Sequence, residues 1–261
     1  MSIIQAIILG LVEGVTEFLP ISSTFHLIFT AKILGITQNN FTKLFEVFIQ
    51  SGAILSVALL YFTNVVKYRE LTKRVIFSFL PTAFVGFILY KFIKNVLFES
   101  QIFLVGIFVA TGAVFIIVES LIRKDKVKLK KGVADLTYKE ALIIGLAQSL
   151  AVIPGVSRAG AVIVGMMLFG FKRSESAYYS FLLSIPTIFS ASLFDLYKMK
   201  DLVNSNYLNN WSLLAVGFLS AFISSYFVIK WFIDFLKKNS LVIFGYYRLI
   251  VAIILLSILL K

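Results

Sequence analysis

Two stretches decide the architecture of this chain: QAIILGLVEGVTEFLPISS at 5–23 and EALIIGLAQSLAVIPGVSR at 140–158. Laid on one another without a gap, they match Gly10 to Gly145, Glu13 to Gln148, Ser22 to Ser157 and Ser23 to Arg158. Each belongs to a longer apolar segment, about 3–34 and 138–170, broken in the middle by Pro, Gly and Ser: LPISST in the first, IPGVSRAG in the second. Such a segment is too interrupted for one clean membrane span and too long for a loop. A helical hairpin that dips into the membrane and returns to the same side fits, because irregular backbone at that depth is tolerated only where protein or a water-filled cavity covers it.

Outward from the hairpins lie six apolar stretches long enough to span, about 44–62, 75–93, 102–122, 176–197, 211–233 and 241–260. TAFVGF (82–87) resembles SAFISS (220–225), which extends the internal likeness. The predicted fold is an all-α integral membrane protein, a polytopic helical bundle forming a single membrane domain over 1–261. It is built of two repeats, about 1–123 and 136–261, joined by a basic loop at 123–139. Each repeat is a broken re-entrant hairpin followed by three transmembrane helices. Three is odd, so the second repeat enters the membrane upside down, with a site expected near the midplane where the broken segments meet.

Composition supports the class. Hydrophobic residues make up 59% of the 261, 15% are charged, and the mean hydropathy is +0.95, outside the range of ordinary soluble domains. The N-terminus is expected to be retained, since it lacks a basic n-region and its apolar run leads into Glu13 and Glu17 rather than a cleavage site. With no cysteine, disulfides, thiol catalysis and Cys-based metal sites are excluded. The net charge of +12 reads as orientation rather than nucleic-acid binding. Sixteen of the 25 Lys and Arg fall on one face of the expected topology, among them the run RKDKVKLKKG at 123–132, and seven on the other, including Lys94 and Lys261. The richer face is expected to be cytoplasmic, with the basic run against lipid headgroups, and the first hairpin then opens outward.

The polar residues of the hairpins are costly at that depth and are therefore candidates for function. Glu13 and Glu17, four apart, share a helix face and need a shared proton, a cation or a basic partner. A hard divalent ion, Mg²⁺ or Ca²⁺, suits such ligands; a structural pair closing helix contacts is the alternative. After Pro20, the hydroxyls of Ser22, Ser23 and Thr24 are placed to cap the next helix, or to offer an anion its N-terminus. Ser157 and Arg158 repeat the arrangement. Arg158 calls for a multivalent anion or for the glutamates of the other half. His26, the only histidine, lies i+4 from Ser22 and i+3 from Ser23, so either hydroxyl is expected to meet the ring as a nucleophile or acid–base pair; a lone histidine is otherwise a satisfied core residue. Cation site, anion site and activated hydroxyl together suggest phosphoryl transfer. The alternative is an inverted-repeat transporter or flippase of a polyprenyl phosphate or other organic anion, with the glutamates as its ion site.

EGVTEFLPISST-x-H and PGVSR-x-G resemble the two signature segments of the undecaprenyl-diphosphatase, or bacitracin-resistance, family, and the likeness continues through FEVFIQSGAIL (45–55), FLLSIP (181–186), DLYK (195–198) and YYRLIVA (246–252). The resemblance implies a multi-pass enzyme of the bacterial plasma membrane, dependent on Mg²⁺ or Ca²⁺, with a site open to the outer face. It implies removal of the terminal phosphate of undecaprenyl diphosphate to recycle the carrier lipid of cell-wall synthesis. Carried over, it implies Glu13 and Glu17 for metal and proton transfer, Ser23 as nucleophile assisted by His26 (or His26 itself as nucleophile), and Ser22, Thr24, Ser157 and Arg158 on the diphosphate. It also implies Glu46 and Gln50 on the same cavity. A homodimer is compatible with this reading; nucleic acid is not expected as a partner. Two positions depart from the family's pattern: Phe25 stands where it has Gly before the histidine, and Ala159 where it has a second serine after the arginine. A ring at 25 would narrow the site if it faced substrate, and would be harmless if it faced lipid or the prenyl chain.

Overall fold

The computed structural model describes residues 1–92, 101–200 and 207–259. Lys94, Lys261 and the last residues of the stretches 75–93 and 241–260 lie outside the described residues. Among the described residues, ten α-helices run in the order α1 (Ile3–Thr16), α2 (Ser23–Ile33), α3 (Asn40–Lys67), α4 (Arg69–Phe92), α5 (Gln101–Arg123), α6 (Tyr138–Ser149), α7 (Arg158–Leu168), α8 (Arg173–Lys198), α9 (Tyr207–Lys238) and α10 (Val242–Leu259). Among the described residues there is no strand, only an isolated bridge between Lys131 and Phe171. Five helices among the described residues, α3, α4, α5, α8 and α9, are long and apolar enough to cross a membrane. The sixth expected span corresponds to α10, apolar but shorter.

The two broken segments are helical hairpins. α1, with 14 residues, reaches about 21 Å at 1.5 Å per residue, short of a bilayer core. Both hairpins begin with the same device. Ser2 Oγ accepts from the Gln5 amide at 3.2 Å while Gln5 Oε1 accepts from the Ser2 amide at 2.7 Å. Thr137 and Glu140 repeat this reciprocal cap at 3.2 and 2.9 Å, at the alignment offset that pairs Gly10 with Gly145.

Partners are exchanged between the halves. α1 packs mainly on α9, and its counterpart α6 on α4. α3 lies against both α8 and α9, and α5 against α10. The exchange depends on two aligned glycines, since helices in lipid associate through close backbone approach at small residues. A Cβ on Gly10 would lie 2.4 Å from the Gly217 carbonyl oxygen, and one on Gly145 would lie 2.1 Å from that of Ser78. Large apolar side chains such as Phe62, Phe84, Ile117, Phe227 and Ile253 point outward, while Glu13, Gln148 and Arg248 are fully buried. This is the distribution of a protein whose solvent is hydrocarbon.

Candidate active site

The loops that join α1 to α2 and α6 to α7 meet α3, α4 and α8 around a cavity of about 490 Å³. Glu17, Ser22, Ser23 and Thr24 reach it from the first hairpin; Gln148, Ser157 and Arg158 from the second; Gln50 from α3. The remaining wall is largely apolar, with Phe79, Ala83 and Phe87 on α4 and Ile188, Ala191 and Phe194 on α8. Polar groups are thus gathered in a chamber with hydrocarbon walls, a shape suited to an amphiphile with a charged head.

Glu17 is the hub. Arg158 Nη2 donates to its Oε1 at 2.8 Å, and Ser23 Oγ donates to its Oε2 in a short hydrogen bond. Arg158 Nη1 also donates to the Ser180 carbonyl at 2.9 Å, while its Nε–H is buried and without a partner. The arginine therefore takes one of the two partners expected for it, a glutamate of the other half, and keeps one donor unused. Glu13 sits behind Glu17, fully buried, and neither of its oxygens has a hydrogen-bond partner. An ionised carboxylate so placed costs several kcal/mol, so Glu13 calls for a proton or a cation. Among the described residues no group of three or more His, Asp and Glu comes together. Glu13 is off the cavity lining, so a divalent ion there fits only if phosphate and water reach it to complete its ligands.

Two local expectations are corrected. Ser22 precedes α2 but does not cap it with its side chain. Its backbone has φ +67°, a region non-glycine residues enter at a cost. That turn brings the Ser22 carbonyl over the helix start, where it accepts from the His26 amide at 3.3 Å. Ser157 does cap α7, accepting from the Gly160 amide at 3.1 Å. Nor does His26 meet either hydroxyl. Its Nδ1 lies 2.8 Å from the Ser22 carbonyl and its Nε2 2.8 Å from the Tyr247 hydroxyl, with the Tyr247 ring stacked on it at 13°. A nitrogen facing a carbonyl carries the proton, so in the neutral ring Nε2 accepts from Tyr247. His26 is absent from the cavity lining, and the group paired with Ser23 is Glu17.

Glu46 is likewise off the lining, accepting from Gln38 Nε2 at 2.9 Å. Four features escaped the sequence reading: Tyr247, Arg248, Asp195 at the cavity edge, and the amide of Gln148, which donates to Thr82 at 2.9 Å and Thr187 at 3.1 Å. DLYK and YYRLIVA carried the only signal for three of these, as matching stretches without a role.

The family described as Bacitracin resistance protein BacA matches residues 6–254. The chain belongs to the BacA family. It is 45% identical over 250 residues to an undecaprenyl-diphosphatase of Aquifex aeolicus, covering 96% of each chain. It is 45% identical over 254 residues to one of Sulfurihydrogenibium sp., with 97% of this chain and 98% of the relative covered, and 44% identical over 256 residues to one of Persephonella marina, with 98% of each covered.

The ring of Phe25, a departure from the resembled pattern, faces neither the cavity nor the outer surface. It is 1% exposed and stacks on Phe108 of α5 at 3.8 Å and 3°, with Phe29 at 4.7 Å. Residues 23 and 25 are two apart, about 200° around a helix, so with Ser23 on the cavity Phe25 must turn away. Ala159 is fully buried in the main core. Phe25→Ala is expected to cost about 3–5 kcal/mol of stability, read as an earlier thermal transition in detergent, while KM for substrate stays unchanged. A large rise in KM would place the ring at the substrate instead.

Proposed function

We propose that this BacA-family chain hydrolyses the terminal phosphoanhydride of undecaprenyl diphosphate, releasing inorganic phosphate and the monophosphate carrier lipid used in cell-wall synthesis. The observation that carries the reading is the line Arg158–Glu17–Ser23 in a chamber with apolar walls. The walls take the first isoprene units, and the head lies among Ser22, Thr24, Gln50, Ser157 and Arg158.

Ser23 Oγ attacks the terminal phosphorus and passes its proton to Glu17. The bond between that phosphorus and the bridging oxygen breaks, and undecaprenyl phosphate leaves. Glu17 gives that proton to the departing undecaprenyl phosphate; water then attacks the phosphoserine, Glu17 takes the water's proton, and it returns this proton to Ser23 Oγ as phosphate departs. In the resting site Arg158 is paired with Glu17. The diphosphate competes for the guanidinium, beginning at its free Nε–H, and as Arg158 turns to phosphate the Glu17 carboxylate is released to face Ser23. A divalent ion, for which Glu13 is the candidate protein ligand, would supply charge neutralisation.

The protein is a multi-pass membrane protein, and its orientation belongs to the same proposal. Asp195, at the cavity, lies 22 residues along α8 from Arg173, about 33 Å. Arg173 follows Lys172, whose amide donates to the Lys131 carbonyl at 3.0 Å in the basic loop. With that loop cytoplasmic, the cavity opens outward. The exchanged packing of α1 on α9 and α6 on α4 supports two repeats of opposite orientation.

The test is phosphate release from a short prenyl diphosphate by the purified protein in detergent, with Mg²⁺ or Ca²⁺ and with chelator. Metal-dependent release that Arg158→Ala lowers by about 10³-fold is expected. No release from well-folded wild type would mean that the chamber carries its ligand rather than cleaves it.

A further inference from the structure

Arg248 is the one fully buried arginine among the described residues, and the reaction above does not use it. Its partners are neutral. Nε donates to the Pro20 carbonyl at 2.9 Å; Nη1 lies 3.2 Å from the Gly155 carbonyl and also donates to Thr111 Oγ1. The Phe108 and Phe115 rings lie over the guanidinium at 4.7 and 5.2 Å. Pro20 and Gly155 are the same position in the two repeats, at the offset that pairs Ser22 with Ser157 and Ser23 with Arg158. Both lie where a hairpin is broken, so their carbonyls have lost helical partners and need a donor inside the membrane. One planar group answers both, three residues ahead of Ser23 on one side and three ahead of Arg158 on the other.

We infer that Arg248 is a positioning residue: its guanidinium spans the equivalent carbonyls of the two hairpin breaks and sets the register between the half-site bearing Ser23 and the half-site bearing Arg158. Its neighbour Tyr247 adds a third tie through His26. Lysine cannot substitute. Its donors radiate from a single point on a flexible stem, whereas guanidinium holds Nε–H and Nη1–H at fixed separation. The inference rests on the phosphatase reading only for its kinetic arm.

The test compares wild type, Arg248→Lys and Arg248→Met. The chain has no cysteine, so Ile33→Cys and Leu168→Cys give two unique labelling sites at equivalent, exposed ends of α2 and α7. The distance between spin labels there reports the register directly. Arg248→Lys is expected to fold, to lose about 100-fold in kcat, the scale of a 1 Å misplacement, with KM little changed, and to broaden or shift the label distance. A stabilising role alone would lower the melting temperature and leave kcat per folded molecule and the distance distribution as in wild type, and that result overturns the inference. A fall in kcat with an unchanged distribution also overturns it. If Arg248→Met fails to fold, Arg248→Lys decides. If wild type releases no phosphate, the phosphatase reading falls while the label distances still judge the clamp.

Discussion

Glu17→Gln will lower phosphate release by about 10³-fold or more, because one substitution removes two functions. The amide keeps the volume but cannot take the Ser23 proton, and a general base is typically worth about 10²–10⁴-fold. It also leaves the Arg158 guanidinium buried beside a neutral group. Breaking one side of a buried ion pair costs about 3–5 kcal/mol, softened here by the bond from Arg158 to the Ser180 carbonyl. The melting temperature in detergent should therefore fall together with activity. The double variant Glu17→Gln/Arg158→Gln separates the two effects: with no charge left unpaired, stability should recover, and activity should not. Glu17→Gln activity within tenfold of wild type would remove Glu17 from the chemistry.

Ser23→Ala is expected to cost at least about 10⁴-fold in kcat, as loss of a nucleophile does elsewhere, and adding Glu17→Gln to it should cost little more, since the two act as a unit. His26→Ala should cost about 10²-fold, the scale of misplacing a group rather than deleting one, because its ring ties the start of α2 to Tyr247 and stands outside the cavity. The decisive readout is the phosphorylated intermediate. Acid-quenched protein should carry phosphate on Ser23, in the acid-stable form of a phosphoserine. Acid-labile label, together with a loss in His26→Ala equal to that in Ser23→Ala, would make the histidine the nucleophile.

Much of this site was legible in the sequence because its parts are local. Pro, Gly and Ser crowd together at the two breaks and the two runs share one offset, whereas the isolated Pro81 and Pro186 stay inside continuous helices; the resemblance the runs carry is borne out by the match over 6–254. Ser22, Ser23, Thr24, Ser157 and Arg158 do meet in one cavity, and Glu17 does face Arg158. What failed was the choice among near neighbours. The i+4 spacing placed His26 close to Ser22, but the positive φ of Ser22 presents its carbonyl rather than its hydroxyl. Tyr247, 221 residues away, then claims the other ring nitrogen, a contact no spacing rule contains. Phe25 is the reverse case: the 200° between it and Ser23 was already written in the sequence, and only the cavity was needed to say which residue faced in.

The exchanged packing of the hairpins has a consequence for how the protein is made. α1 reaches the membrane first, yet the surface that Gly10 is shaped for lies on α9, more than 200 residues later. Through most of synthesis the first hairpin therefore holds Glu13 and Glu17 in the bilayer without the helix that will shield them, and without Arg158 for most of that time. The N-terminal half is an intermediate awaiting its complement rather than a unit that finishes on its own. Substitutions on α9 at this contact will therefore be felt as failures of the first helix to settle.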